Sequence, residues 1–180
     1  MARPIVLIIL DGWGVAPKKL GNPIITTPTP FIDSLEKSYP HCTLKASGDA
    51  VGLPDEQSGN SEAGHINIGA GRRVEQDSLT ISRSISNGTF FQNPAFLGAA
   101  EHVKQHNSSL HLMGILSGMQ SPHMDPDHLL ALITFARLEK IKNVYLHIFT
   151  DGRDSYYYSG RNRLEKIMKL HDQEITVATV

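Results

Sequence analysis

A single cysteine, Cys42, leaves this chain of 180 residues without any possible intrachain disulfide, and one thiol suits a reducing cytosol. Net charge is equally scarce. At -1 the chain lacks the basic surface needed to displace counterions from a phosphate backbone, which excludes nonspecific nucleic-acid binding. Long apolar runs are missing too: Ile5 to Leu10 is too short for a signal-peptide core or a membrane span, and it stops at a charge. No internal repeat or low-complexity tract interrupts the chain. These absences leave a cytoplasmic protein with no nucleic-acid or membrane partner, and its 40% hydrophobic residues supply enough apolar side chain for a core.

Apolar runs and amphipathic stretches alternate, the pattern of an α/β fold with a largely parallel sheet. Strands are expected at residues 4–10, 42–46, 109–116, 143–149 and 175–180, the first buried on both faces and the fourth buried. Thr29 and Pro30 offer an N-cap and first-turn proline for a helix carrying Phe31, Ile32 and Leu35. Further helices are expected from Asp77, after Asn93-Pro94, from Asp125-Pro126, and over residues 158–170.

Chemistry concentrates at a few points. In Gln57-Ser58-Gly59-Asn60-Ser61-Glu62-Ala63-Gly64-His65, one serine stands among glycines before a short apolar run. Ser61 reads either as a displayed nucleophile, needing a base or metal to lower its pKa, or as a helix N-cap. Asp11 follows the first apolar run and is flanked by Gly12 and Gly14; a carboxylate there is a candidate metal ligand or a simple loop cap. Asp151-Gly152-Arg153-Asp154 follows another apolar run. Arg153 offers a planar fork of donors to phosphate or carboxylate and Asp154 can accept from a hydroxyl, while the alternative is an ordinary loop ion pair.

These motifs, in this order, resemble the cofactor-independent phosphoglycerate mutases of the alkaline phosphatase superfamily. The apolar strand ending Leu10-Asp11-Gly12 matches that family's opening. Thr43 to Gly48, Ala50 to Pro54, the Ser61 segment through Arg72, and Asp151 to Asp154 match further motifs. The resemblance implies an α/β chain in two pieces: residues 1–76 as the N-terminal part of an alkaline-phosphatase-like metal-binding domain, and 77–180 as the N-terminal part of an inserted phosphotransferase domain that binds substrate. Because family members are several hundred residues longer, the chain is expected to be an N-terminal fragment. Its apolar faces up to residue 76 should then lie exposed or be covered from elsewhere.

The activity implied is interconversion of 3-phosphoglycerate and 2-phosphoglycerate through a phosphoserine on Ser61, in glycolysis, by a protein that is monomeric at full length. Two manganese ions are implied, with Asp11 and Ser61 as two of their ligands and His123, Arg153 and Asp154 as substrate-binding residues. The stretch Gly118-Met119-Gln120-Ser121-Pro122-His123 departs from the family's pattern: a pair of glycines is missing, and Asp125 stands where a second histidine is common. Ser58, Ala63 and Tyr156-Tyr157-Tyr158 depart as well. His128 is expected on a helix surface, and His111 and His147 within strands. Two ligands do not complete a metal site, so the isolated chain is expected to be inactive. The alternatives are another phosphomutase or phosphatase of the superfamily, or a noncatalytic module that binds a phosphorylated metabolite or docks on a partner.

Overall fold

The computed structural model describes residues 3–16, 21–55, 57–118, 121, 123–170 and 174–180. The chain divides into two compact units, Met1–Ala46 and Ser47–Val180.

The first unit contains two helices, α1 (Pro23–Thr26) and α2 (Pro30–Ser38). Pro30 opens α2 as expected, and Thr29 occupies the cap position. Its hydroxyl, however, donates to Asp33 Oδ1 at 2.9 Å and does not cap an amide. Residues 4–10 and 42–46 form no strand, contrary to the sequence pattern. A strand exists by pairing its amides and carbonyls with a neighbour, and the described residues of this unit include no other strand. The apolar side chains from Ile5 to Leu10 are accordingly exposed, Ile5 at 96%.

The second unit begins with a short 3-10 turn, Gly48–Val51, against which α3 (Ser61–Ala70) packs through Ala63, Val51 and Leu53. Asn67 fastens this corner. Its Nδ2 donates to Val51 O at 3.0 Å and its Oδ1 accepts from Val74 N at 2.7 Å. Then follow α4 (Asp77–Ser86), α5 (Pro94–His106), β1 (Leu110–Leu116), α6 (Pro126–Leu138), β2 (Val144–Thr150), α7 (Gly160–Met168) and β3 (Ile175–Thr179). Each of these elements lies where the sequence pattern places one. Asn93 and Asp125 cap α5 and α6, accepting from Ala95 N and Asp127 N at 2.9 Å each. The cap gives Asp125 a structural role.

The strands form a parallel sheet in the order β1-β2-β3. Leu112, Leu116, Val144, Leu146, Ile148 and Ile175 point to one face and build the core with Ala100 and Val103 of α5, Ile133 and Phe135 of α6, and Ile167 of α7. On the opposite face Met113 is 67% and Phe149 58% exposed, while Tyr145 and His147 are half-buried. Val144, Leu146 and Ile148 of β2 are buried on the face where the helices that cross between these strands build the core. On the opposite face His111 Nδ1 lies 2.9 Å from His147 Nε2, and His147 Nδ1 lies 3.0 Å from Thr179 Oγ1. Both histidines thus sit hydrogen-bonded within strands. His128 is half-buried on α6, its Nε2 2.9 Å from Ser82 Oγ of α4.

Candidate active site

The parallel register determines what gathers at the carboxyl ends of β1 and β2. Leu116 pairs with Thr150, so the next residues, Ser117 and Asp151, leave the sheet side by side. Ser117 is fully buried and its hydroxyl donates to Asp151 Oδ2. The same carboxylate organises its own loop: Oδ1 accepts from the amides of Arg153 at 2.8 Å and Asp154 at 3.2 Å, and Oδ2 accepts from Ser155 Oγ at 3.1 Å. These donors, Ser117 foremost, hold the Asp151 carboxyl well below the usual carboxylate range, against the opposing effect of desolvation.

Asp151 is thus consumed in shaping the loop, which leaves Arg153 to face outward. Among the described residues no carboxylate pairs with its guanidinium, so the loop ion pair weighed from sequence is not what the residue does. Arg153 and Asp154 line an open cavity of about 590 Å³ together with Gly118, Tyr156, Tyr157 and Arg163. That volume suits a small metabolite. Two guanidinium groups against the single carboxylate of Asp154 favour an anionic one.

Arg163 belongs to no motif in the sequence. Its Nη1 donates to Ser117 O at 2.6 Å and its Nε to Ser159 Oγ at 3.4 Å, which ties α7 to the end of β1. The available signal is its place one turn before the buried Ile167, a cation on the inward stripe of an amphipathic helix. A side chain on Gly118 would press against the Arg163 guanidinium, with a Cβ only 3.0 Å from Nη2, so glycine keeps the cavity mouth clear. Tyr156 and Tyr157 are exposed along the rim, and Tyr158 packs against both rings.

His123 lies in the turn between β1 and α6, where Met119, Gln120 and Pro122 are outside the described residues. Its amide donates to Ser121 Oγ at 3.2 Å, and Ser121 Oγ donates to Asp154 Oδ2 at 3.0 Å. The structure therefore brings the His123 backbone and the Asp154 side chain onto one serine. The His123 ring is exposed and is not among the described residues lining the cavity.

Ser61 is the first residue of α3, and the cap is Asn60, whose Oδ1 accepts from Ala63 N at 2.8 Å. The hydroxyl of Ser61 therefore does not serve as the cap, and it is exposed at a helix N-terminus, where the first-turn amides favour an anion. His65, one turn on, places Nδ1 2.8 Å from Ser61 O and 3.2 Å from Ser61 Oγ. Protonated, that nitrogen donates to the carbonyl; unprotonated, it can accept from the hydroxyl. Asp11 belongs to the other unit, in a turn closed by Trp13 N to Leu10 O at 3.0 Å, with Gly12 at a φ of 79° that favours glycine.

The profile described as BPG-independent PGAM N-terminus matches residues 81–180. A 2,3-bisphosphoglycerate-independent phosphoglycerate mutase of Chloroflexus aggregans is 55% identical over 152 residues, 84% of this chain and 28% of the relative. One of Clostridium beijerinckii is 46% identical over 168 residues, 93% of this chain and 33% of the relative. A crystal structure of Leishmania mexicana phosphoglycerate mutase, obtained at low cobalt concentration, matches with a TM-score of 0.82 at 28% identity, over 95% of this chain and 32% of that one. The chain spans about a third or less of the length of these relatives.

Proposed function

The chain belongs to the BPG-independent phosphoglycerate mutase N-terminal family, and from that premise we propose that it carries the phosphoserine and part of the substrate site of a phosphoglycerate mutase. The observation that carries this reading is the loop after β2: Asp151 spends its carboxylate on the loop's own donors, which leaves Arg153 without a carboxylate partner among the described residues, at a cavity sized for a small anion. Phosphoglycerate, with a phosphate and a carboxylate, matches two guanidinium forks. Asp154 would accept from the glycerate hydroxyl.

In the proposed transfer Ser61 Oγ bonds phosphorus as the bond from phosphorus to the substrate's ester oxygen breaks, the serine proton ending on that departing oxygen; the Ser61 Oγ–P bond then breaks as the group passes to the other hydroxyl of the retained glycerate, whose proton returns to Ser61. Ser61's exposure at the head of α3 supports that role. The match beginning at residue 81 supports a passage near residues 76–78 from an alkaline-phosphatase-like domain into an inserted phosphotransferase domain. The lone cysteine, exposed, supports a reducing cytoplasm as the place of action.

Divalent metal, manganese by family resemblance, would supply Lewis-acid stabilisation of the transferring oxygens, with Asp11 and Ser61 as donors. A hard cation takes about six donors. Among the described residues no three His, Cys, Asp or Glu side chains form a group, so the donors present do not by themselves make that site.

A second reading, a noncatalytic module that binds a phosphorylated metabolite, is favoured by one observation: the Arg153 cavity is formed wholly within Ser47–Val180. Complementation separates the two. The chain is mixed with the remaining C-terminal portion of the Chloroflexus aggregans mutase and assayed for conversion of 3-phosphoglycerate. Activity that vanishes in Ser61→Ala supports the catalytic reading; binding without any gain of turnover supports the module.

A further inference from the structure

Gln57 stands four residues before Ser61, and it is buried to 5% exposure, unusual for an amide side chain in a loop. Its backbone is pinned on both sides, the N–H donating to Pro54 O at 2.9 Å and the carbonyl accepting from Gly48 N at 3.0 Å. The side chain reaches out of this corner altogether. Nε2 donates to Ser121 O at 3.1 Å, across 64 residues of sequence.

Ser121 is itself 4% exposed, and each of its polar groups is used. Its N–H donates to Gly118 O at 3.0 Å, its carbonyl accepts from Gln57, its Oγ accepts from His123 N, and its hydroxyl proton goes to Asp154 Oδ2. A buried residue so fully hydrogen-bonded has little freedom to shift without breaking a bond, because an unmade hydrogen bond in a dry site is costly. The stretch that leads to Ser61 and the loop that carries Asp154 are therefore joined through one serine.

We propose that Gln57 is a positioning residue: through Ser121 it fixes the Asp154 carboxylate and the His123 segment relative to the stretch running from Gln57 to Ser61. Its importance for substrate rests on the phosphoglycerate reading above; the relay itself does not. A nucleophile on one segment and a hydroxyl-binding carboxylate on another must keep their spacing for transfer to occur, and a single off-axis displacement of about 1 Å is enough to slow chemistry severely. Gln57 supplies such a constraint without touching either reacting group.

The test compares wild type with Gln57→Met, which keeps the shape and removes the donor, and Gln57→Glu, which sets a carboxylate against the Ser121 carbonyl. Amide hydrogen exchange is read by NMR without ligand, always relative to wild type at the same pH. Protection of the His123 amide should fall about five- to tenfold in both variants, the change expected for one ordinary hydrogen bond, while amides of β2 stay as they were. The buried carboxyl that Gln57→Glu introduces regains a donor when protonated, so lowering the pH should restore protection in that variant and leave Gln57→Met unchanged. Unchanged protection at His123 in both variants overturns the relay. So does a uniform loss across the β2 amides, which would mark Gln57 as a general packing residue.

Titration with 3-phosphoglycerate forms the second arm. Wild-type binding that weakens in Gln57→Met supports the relay's role at the site. No binding by wild type overturns the phosphoglycerate reading, and the relay is then decided by exchange alone.

Discussion

Ser117 and Asp151 leave adjacent parallel strands at the same level and are joined by a hydrogen bond from the serine hydroxyl to the carboxylate. That pairing links the register of the sheet to the shape of the loop that presents Arg153. Ser117→Ala removes the strongest of the influences that hold the Asp151 carboxyl low, so this carboxyl should titrate at higher pH than in wild type. Carboxyl carbon chemical shifts followed against pH measure it directly.

The pH dependence has a definite sign. A carboxyl whose pKa is depressed on folding contributes stability above the unfolded value and loses it as pH falls toward the folded one. Order in the loop over residues 151–155 should therefore be constant from neutrality down to about pH 4 and decline below it. Exchange of the Arg153 and Asp154 amides across that range checks the direction; loosening on the alkaline side would contradict it.

Arg153→Ala should weaken 3-phosphoglycerate binding about ten- to a hundredfold, the loss expected for one charge-assisted contact, without lowering thermal stability. Arg163→Ala should do both. Its guanidinium lines the cavity and also donates to Ser117 O at 2.6 Å, so removal deprives the carbonyl of the buried Ser117 of that donor. Calorimetric titration paired with thermal melts separates the two cases.

Leu146 sits at the centre of β2 with no exposure at all, between β1 and β3. Leu146→Ala should cost about 2–5 kcal/mol in denaturant unfolding. Phe149→Ala, on the opposite face of the same strand, should cost well under half as much, because its ring is already 58% exposed.

Local signals make much of the second unit legible. Asn93 and Asp125, each followed by proline, announce helix starts within a few residues, and the caps are where those residues stand. The runs 109–116 and 143–149 read as strands because each is apolar, short and bounded by turns. The same logic fails at residues 4–10, where an equally apolar run forms no strand: the pattern measures a segment's fitness for a sheet and carries no information about a partner. Asp11, Ser61, Arg153 and Asp154 are visible as residue types in suggestive settings. Gln57 and Arg163 are not, since their partners lie 64 and 46 residues away and no spacing rule connects them.

The most direct measurement is a titration of 3-phosphoglycerate into the isotopically labelled chain, following every backbone amide. Saturable shifts at Ser117, Gly118, residues 151–157 and Arg163, reduced in Arg153→Ala, are the expected result. Absence of saturable shifts, or shifts confined to residues outside that cavity, would contradict the assignment of this loop as a phosphoglycerate site.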